Sequence, residues 1–379
     1  MADISIVALH GDGVGPEVTD AMLAVIEAVA DRWGHAYEVD RYDIGWSAVE
    51  KHGTPLPDDT LAAAVRGPAV FLGAVGDPRA EGRPPHERPE AALLRLRTAL
   101  ACFANLRPAR VDDALIRISA LRPEIAAGCD LVIVRELTGG IYYGTPRHSD
   151  GKRAVNTLVY EDHEVERVAR VAFDLARRRR GIVCSIDKAN VLETSQLWRT
   201  VVDRVAAEYE DVETRHMFVD RAAMELVTNP RQFDVMLTGN LFGDILSDEA
   251  SAMCGSLGLL SSASVGGDVA MYEPVHGSAP DIAGRGVANP IGAIRSGALM
   301  LSYSFGLDEE AAAVERAVTA ALDAGLRTAD VAGPGETPVG TVAFTAAVVD
   351  ALAAGAGAGA EAAGDAQSAR VGATGSAGA

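Results

Sequence analysis

The sequence predicts an α/β protein with a largely parallel or mixed sheet, divided into two domains. Short runs rich in β-branched residues alternate along the chain with longer helical patterns, and this alternation is typical of a sheet covered by helices. The composition, 48% hydrophobic and 23% charged, is that of a globular protein. A chain of 379 residues exceeds the size at which a single core stops growing, which predicts more than one domain.

The predicted strands are short and strongly apolar. They lie at 4–9, 70–72, 131–134, 182–186 and 235–237. The clearest helix covers 16–33, where one face carries Val18, Met22, Val25, Ile26, Val29 and Trp33. A helix of this kind buries one stripe against a sheet, in agreement with the α/β class.

The charge balance excludes nucleic-acid binding as a main function. The chain carries 34 basic and 53 acidic side chains, a formal net charge of −19, whereas phosphate neutralisation needs clustered Lys and Arg. The four cysteines stand singly, without metal-binding spacing, which indicates reduced thiols. The N-terminus lacks the pattern of a secretory signal, and the apolar stretch 342–354 is too short to span a bilayer. We therefore expect a cytoplasmic protein with no membrane partner.

Two segments depart from the alternation of strands and helices. Residues 139–160 hold turn residues around short β-prone runs, and this pattern predicts a β-hairpin or arm, either for dimerisation or as a plain surface hairpin. Residues 355–379 form an Ala/Gly/Ser-rich stretch that cannot bury a core, and this composition predicts a disordered tail.

A glycine-rich turn, GDGVGPE at 11–17, follows the first predicted strand. Gly15 is a candidate N-cap, Pro16 suits the first helical position, and Glu17 favours the positive end of the helix. Such a turn suits a phosphate, and Asp40 after the next β-prone run would suit a ribose hydroxyl. However, Pro16 replaces the third glycine of the dinucleotide fingerprint, so the local pattern favours a structural turn over a Rossmann site.

Three arginines lie on separate elements: Arg97 on a helix, Arg107 in an extended segment and Arg135 at the end of a strand. Guanidinium groups bind carboxylates bidentately, so three of them suit a substrate with two carboxylates, although surface salt bridges would explain any one alone.

Lys188 follows the strand at 182–186. A lysine that loses water at such a position can act as a base, and a solvated strand end is its structural alternative.

The segment 238–251, TGNLFGDILSDEAS, carries the strongest local signal. Asn240, Asp244 and Asp248 are spaced four residues apart and lie on one face of a helix. Oxygen ligands on one face suit Mg²⁺ or Mn²⁺, and the like charges repel unless a positive group lies between them. Asp220, just before another helical pattern, either adds a third carboxylate or caps that helix.

The loop 272–290, YEPVHGSAPDIAGRGVANP, combines small residues with a histidine and an aspartate, which suits a flat heterocycle and a ribose hydroxyl; a structural loop is the alternative. Together, these segments resemble the β-decarboxylating dehydrogenases, which act on isopropylmalate, isocitrate, homoisocitrate and tartrate. The resemblance extends over residues 3–352. It is carried, in order, by GDGVGPE, FANLRP, VRELTGGIYYG, DKANVL, GNLFGDILSD and EPVHGSAPDIAG with the later ANP.

The resemblance implies a role for each candidate residue. It assigns the substrate carboxylates to Arg97, Arg107 and Arg135, and acid–base catalysis to Tyr142 and Lys188. It assigns a divalent metal, Mg²⁺ or Mn²⁺, to Asp220, Asp244 and Asp248, with Asp220 also near the substrate. The adenosine side of an NAD pocket would consist of His276, Gly277, Ser278, Ala279, Pro280, Asp281, Ile282 and Asn289.

The resemblance also implies a fold that is not a Rossmann fold. Residues 1–103 and 255–354 would form a cofactor-side domain, and residues 104–254 a central domain that includes the arm. Lys188 and Asp220 would reach the site from the partner subunit of a homodimer. The chain departs from the family between residues 73 and 89, where it reads GAVGDPRAEGRPPHERP and the family reads roughly GGPKWD.

Substrate choice within this family depends on the helix near Glu90. Leu93 and Leu94 resemble the apolar wall that receives an isopropyl group, and the Ser or Asn with which isocitrate enzymes meet a third carboxylate is missing. The resemblance therefore predicts NAD-dependent oxidative decarboxylation of 3-isopropylmalate, in leucine biosynthesis, with tartrate, D-malate, homoisocitrate or isocitrate as alternative substrates. Two alternatives come from other classes of protein. One is a Mg²⁺-dependent phosphoryl-transfer enzyme, although the chain lacks the P-loop motif. The other is a non-catalytic metabolite-binding protein.

Overall fold

The computed structural model describes residues 1–355, which form an α/β structure on one large mixed sheet. The strands are β1 (Asp3–Gly11), β2 (Ala36–Tyr42), β3 (Ala69–Ala74), β4 (Ala104–Arg110), β5 (Asp130–Glu136), β6 (His148–Ser149), β7 (Ala154–Val155), β8 (Ile182–Asp187), β9 (Glu213–Phe218), β10 (Val235–Thr238), β11 (Ser261–Val265) and β12 (Ala270–Pro274). The helices are α1 (Gly15–Trp33), α2 (Trp46–His52), α3 (Asp58–Arg66), α4 (Pro89–Ala99), α5 (Pro123–Ala126), α6 (Asp162–Arg177), α7 (Glu193–Ala206), α8 (Val219–Thr228), α9 (Asn240–Cys254), α10 (Ile291–Phe305) and α11 (Asp308–Asp323). Residues 341–355 are also helical.

Ten strands form the main sheet in the order β2-β1-β3-β12-β11-β4-β5-β10-β8-β9. Neighbours are parallel at both ends, within β2-β1-β3-β12 and within β5-β10-β8-β9. In the middle, the pairings β12–β11, β11–β4 and β4–β5 are antiparallel, and we call these four strands the antiparallel seam. The mixed sheet confirms the predicted fold class and differs from the mostly parallel sheet of a Rossmann fold.

Central strands bury side chains on both faces of the sheet. On β5, Val132 and Val134 join a large core covered by α1, α6, α7, α10 and α11, whereas Leu131 and Ile133 join a second core under α8 and α9. A third core, under α3 and α4, lies on the same face as the second. Burial on both faces explains why β1, β3, β5, β8 and β10 read as continuous apolar runs, and the structure confirms all five as strands.

The start of α1 differs from the prediction by one residue. Gly15 is the first helical residue and not the N-cap, a position that Val14 occupies without a side-chain hydrogen bond. The Val14 N–H donates to Ser278 O at 2.8 Å, and the Gly15 N–H donates to Asp12 O at 2.8 Å. Backbone carbonyls therefore satisfy the groups that a capping side chain would otherwise satisfy.

The predicted hairpin within residues 139–160 is confirmed, because β6 and β7 pair antiparallel. Its role in dimerisation stays a prediction, as do the domain boundaries after residues 103 and 254. The predicted disordered tail lies outside the described residues, apart from residue 355. Within residues 1–355, no helix has the length and apolar character needed to cross a bilayer.

Candidate active site

Polar side chains gather on one face of the antiparallel seam, opposite the largest core. On β4, Leu106 joins that core, so the neighbouring Asn105 and Arg107 point to the other face. The Asn105 amide donates to Ser262 Oγ and Ser264 Oγ on β11, each at 3.1 Å. These residues form the floor of the candidate site, between the second and third cores.

The three predicted arginines converge on this floor. Arg97 extends from the last turn of α4, Arg107 from β4 and Arg135 from the end of β5. Burial lowers the pKa of Arg135, repulsion from Arg107 and Arg97 acts in the same direction, and the Asp244 carboxylate opposes both. Arg97 Nη2 lies 2.6 Å from Glu273 Oε1 on β12. The structure therefore brings together three cations from separate elements, as a dicarboxylate site requires.

Two of the predicted metal-binding carboxylates face these arginines. Asp244 and Asp248 lie one turn apart on α9, and Asp244 Oδ1 accepts a hydrogen bond from Arg135 Nη1. Arg107 Nη1 lies 3.5 Å from Asp248 Oδ1. The guanidinium groups supply the positive charge that two carboxylates at i, i+4 need on one helical face.

Tyr142 lies beside Asp244, at the end of a short 3₁₀ turn over Gly140–Tyr142. Its hydroxyl donates to Asp244 Oδ2 at 2.8 Å. Partial burial raises the pKa of Tyr142, and the hydrogen bond to Asp244 raises it further. The phenol is therefore protonated at neutral pH, so it carries a proton at the site.

Lys188 and Asp220 form a separate pair. Lys188 Nζ lies 2.5 Å from Asp220 Oδ1, and this hydrogen bond lowers the pKa of Asp220. Asp220 is in the first turn of α8 and does not cap it, because Phe218 holds the N-cap position. Among the described residues, no three His, Cys, Asp or Glu side chains of one chain form a metal-binding group. A single chain thus does not join Asp220 to Asp244 and Asp248.

The predicted specificity residues lie on one face of α4. Glu90, Leu93 and Leu94 precede Arg97 by seven, four and three residues, which are the spacings of one helical face. Leu94 is half exposed, Leu93 is partly buried and Glu90 is exposed. Leu93 and Leu94 therefore place an apolar surface on the helical face from which Arg97 extends.

The predicted cofactor loop contacts the glycine-rich turn. Gly13 has a φ of +58°, and a Cβ there would lie 1.9 Å from Ser278 O, so only glycine allows this approach. The Gly284 N–H donates to Glu17 Oε1 at 2.5 Å. Because Ser278 O and Asp12 O already accept the N–H groups of Val14 and Gly15, the turn does not present these two groups to a phosphate.

Side chains of this loop have different surroundings. Ser278 is buried, and Ala279 and Ile282 pack against the largest core. Gly277, Pro280 and Asp281 are exposed. His276 Nδ1 lies 2.8 Å from Gly277 O, which can only accept, so Nδ1 carries the proton. Its Nε2 is a buried acceptor without a partner, and burial lowers the pKa of His276.

Asn289 has a structural role in this conformation. Its Oδ1 accepts from the Ile291 N–H at 3.0 Å, at the start of α10, and its Nδ2 donates to Asp330 Oδ2 at 3.0 Å. The Asn289 amide therefore holds the end of the loop in place.

Three polar residues at the site were missing from the sequence prediction: Glu273, Asn105 and Asp12. Asp12 is buried and accepts hydrogen bonds at 2.9 Å from the N–H groups of Trp46, Ser47 and Gly76, so it anchors the segment that departs from the family. Burial raises the pKa of Asp12, and these three hydrogen bonds oppose the rise. Asn105 and Glu273 each interrupt an apolar run, and Asp12 is the acidic residue of the glycine-rich turn; these are the sequence signals that would have identified them.

The chain is similar to known proteins over most of its length. The model of the isocitrate/isopropylmalate dehydrogenase family matches residues 5–350. The chain is 52% identical over 347 residues to the 3-isopropylmalate dehydrogenase of Chlorobium chlorochromatii, covering 92% of this chain and 99% of that protein. It is 53% identical over 352 residues to the same enzyme of Halalkalibacterium halodurans, with 92% and 97% covered. The crystal structure of isocitrate dehydrogenase from Methylococcus capsulatus superposes with a TM-score of 0.80 at 38% identity, covering 92% of this chain and 99% of that one.

Proposed function

Since the chain belongs to the isocitrate/isopropylmalate dehydrogenase family, we propose that it catalyses the NAD-dependent oxidative decarboxylation of 3-isopropylmalate to 2-oxo-4-methylpentanoate, in leucine biosynthesis. The names of its relatives support this reaction. The observation that carries the proposal is the convergence of Arg97, Arg107 and Arg135 beside Tyr142 and Asp244. The same chemistry on another malate homologue is the alternative.

Family membership implies a dinucleotide cofactor and a divalent metal in general, and we propose NAD with Mg²⁺ or Mn²⁺. The residues fit both groups. The unpartnered Nε2 of His276 suits the amino group of an adenine, and the exposed Asp281 suits ribose hydroxyls. Asp244 and Asp248, with Asp220 of a second subunit, supply the oxygens that these cations prefer. When bound, NAD accepts the hydride and the cation favours negative charge on substrate oxygen.

The side chains of this protein bind the substrate and transfer protons. The three guanidinium groups orient the two carboxylates of the malate unit, and in doing so they fix its C2. Lys188 takes the proton from the 2-hydroxyl as hydride leaves C2. After carbon dioxide departs, the Tyr142 hydroxyl, which lies beside Asp244, protonates the carbon that carried it.

We propose an apolar wall of Leu93 and Leu94 for the isopropyl group. Leu94 is half exposed beside Arg97, where it would lose water against a branched alkyl group. A third carboxylate at this place would instead face a leucine side chain without a hydrogen-bond donor. This contrast favours 3-isopropylmalate over isocitrate.

We propose a homodimer in which Lys188 and Asp220 complete the site of the partner subunit. Large apolar side chains are more than half exposed near this pair and on α8 and α9, namely Val191, Met224 and Ile245. An exposed apolar surface of this kind marks an interaction site.

All four cysteines are free thiols, which supports a reducing compartment such as the cytoplasm.

The proposed function is tested by one assay. Purified protein with Mg²⁺ and NAD is mixed separately with 3-isopropylmalate, isocitrate, homoisocitrate, tartrate and D-malate, and NADH is followed by absorbance. We expect the highest kcat/KM with 3-isopropylmalate. A higher value with another homologue would reassign the substrate, and no reduction of NAD with any of them would overturn the proposed function.

We predict a preference for NAD over NADP of at least about tenfold in kcat/KM, that is about 1.4 kcal/mol. The Asp281 carboxylate accepts hydrogen bonds from a ribose but repels a 2′-phosphate, and the loop has no lysine, with Arg285 four residues on. The double variant Asp281→Lys, Ile282→Tyr should shift the preference towards NADP. The single variant Ile282→Tyr is the control, since it leaves the charge unchanged. Equal efficiency of the wild type with both cofactors would contradict this interpretation of the loop.

A further inference from the structure

Each of the three arginines is held by a different polar side chain. Glu273 contacts Arg97, the Asn105 oxygen accepts from Arg107 Nε at 2.8 Å, and Asn240 contacts Arg135. Asn240 is distinct because it also contacts the segment that carries Tyr142.

Asn240 is the first residue of α9 and is almost fully buried. Its Oδ1 accepts two hydrogen bonds from Arg135, from Nε at 3.1 Å and from Nη2 at 2.7 Å. Its Nδ2 donates to Gly139 O at 3.1 Å. These partners fix the orientation of the amide, because a guanidinium group only donates and a carbonyl only accepts.

The two contacts join the substrate-binding and proton-donating groups. Asn240 holds the Nε and Nη2 of Arg135, and the remaining Nη1 is directed to Asp244. Gly139 immediately precedes the 3₁₀ turn of Tyr142, and its N–H is held by Glu136 Oε2 at 2.7 Å. Asn240 therefore holds the carbonyl of a residue whose N–H is already held by Glu136.

The same contacts correct one expectation from the sequence. Asn240 shares a helical face with Asp244 and Asp248, which made its oxygen a candidate ligand for the metal. Two hydrogen bonds from Arg135 occupy both lone pairs of that oxygen. The Asn240 oxygen is therefore directed to the arginine and not to a cation.

We propose that Asn240 is a positioning residue that sets Arg135 and Tyr142 relative to each other. The proposal rests on the proposed function, because it assigns substrate binding to Arg135 and protonation to Tyr142. It separates two effects: loss of the oxygen weakens substrate binding through Arg135, and loss of the amide hydrogens slows turnover through Tyr142.

Two variants separate these effects. Asn240→Ala removes both contacts, and we expect KM for 3-isopropylmalate to rise and kcat to fall, each by about tenfold or more. Asn240→Asp keeps the oxygen that faces Arg135 but places a second oxygen against Gly139 O. We therefore expect it to keep KM within about threefold, or 0.65 kcal/mol, of the wild type, with a reduced kcat.

Ser185→Ala is the matched control for stability. Ser185 Oγ accepts a buried hydrogen bond from Trp198 Nε1 at 3.1 Å, in the same half of the sheet and without contact to Arg135. It should lower the melting temperature as the Asn240 variants do, with wild-type kinetics. Asn240→Ala kinetics that match Ser185→Ala would overturn the proposal. If Asn240→Ala does not fold, Asn240→Asp decides alone, and wild-type KM and kcat in it would overturn the proposal.

A crystal structure of Asn240→Ala separates this proposal from the proposed function. We expect the Arg135 side chain to leave its position and the turn at Gly139 to shift. An unmoved Arg135 and turn would overturn the positioning role even in an active enzyme. If the wild type is inactive on every malate homologue but Arg135 and the turn move, the positioning role stands and the proposed function fails.

Discussion

Replacement of Lys188 by methionine is expected to abolish turnover while NAD binding stays nearly unchanged. The proposed role of Lys188 is proton transfer, and acid–base groups of this type contribute about 10²–10⁴-fold to the rate. Lys188 hydrogen-bonds to Asp220 and not to the cofactor loop, so the affinity for NAD should not depend on it. The measurements are kcat by NADH absorbance and the Kd of NAD by calorimetry.

Lys51→Met is the matched control for this variant. Lys51 lies on α2, and its Nζ is 2.6 Å from Asp43 Oδ1. It therefore also belongs to an exposed lysine–aspartate pair. Exposed ion pairs contribute little to stability, and both variants should therefore fold and melt like the wild type. Activity of Lys188→Met within about tenfold of the wild type would remove Lys188 from the mechanism.

The second large effect is the recovery of activity from two inactive variants. If Lys188 acts in the site of the partner subunit, Lys188→Met and Asp244→Asn damage different sites of a mixed dimer. One site then has both defects, and the other has neither. Co-expression with two affinity tags isolates the mixed dimer, which should show about half the wild-type kcat per dimer, although each parent is inactive.

A second mixed dimer is the control for this recovery. Lys188→Met with Asp220→Asn should stay inactive, because Lys188 and Asp220 of one subunit serve the same site and each site then has one defect. An inactive Lys188→Met/Asp244→Asn dimer would show that each site uses the lysine of its own chain. Recovery in both pairs would contradict the assignment of Asp220 to the site.

The strands that the sequence predicts are those buried on both faces. β9 was missing from the prediction, and β2 was noted only as a β-prone run near Asp40, because both are edge strands, where exposed polar residues interrupt the apolar pattern. β11 and β12 were missing for another reason, since one face of each carries the polar side chains of the site, such as Ser262 and Glu273. Polar residues that the site needs replace apolar residues at these positions, so the sequence pattern that would predict a strand is lost.

The sequence predicts the charged residues of the candidate site but not which residues pair with them. Arg97, Arg107 and Arg135 were identified because charged residues follow or interrupt apolar segments. That Arg97 pairs with Glu273, 176 residues later, depends on the register of β12 in the sheet, which no local pattern contains. The resemblance named Lys188 and Asp220 as groups from the partner subunit, a relation that local spacing cannot express.

The antiparallel seam would give the proposed dicarboxylate substrate a structural role as well as a chemical one. Arg97 and Glu273 are attached to one parallel block, Arg135 and Asp244 to the other, and Arg107 lies on a strand between them. A dicarboxylate held by all three arginines therefore acts as a cross-brace between the two halves of the sheet. By mass action, a ligand at 100 times its Kd adds about 2.7 kcal/mol to the free energy of unfolding. We therefore expect the free energy of unfolding of this chain to rise with the concentration of its proposed substrate.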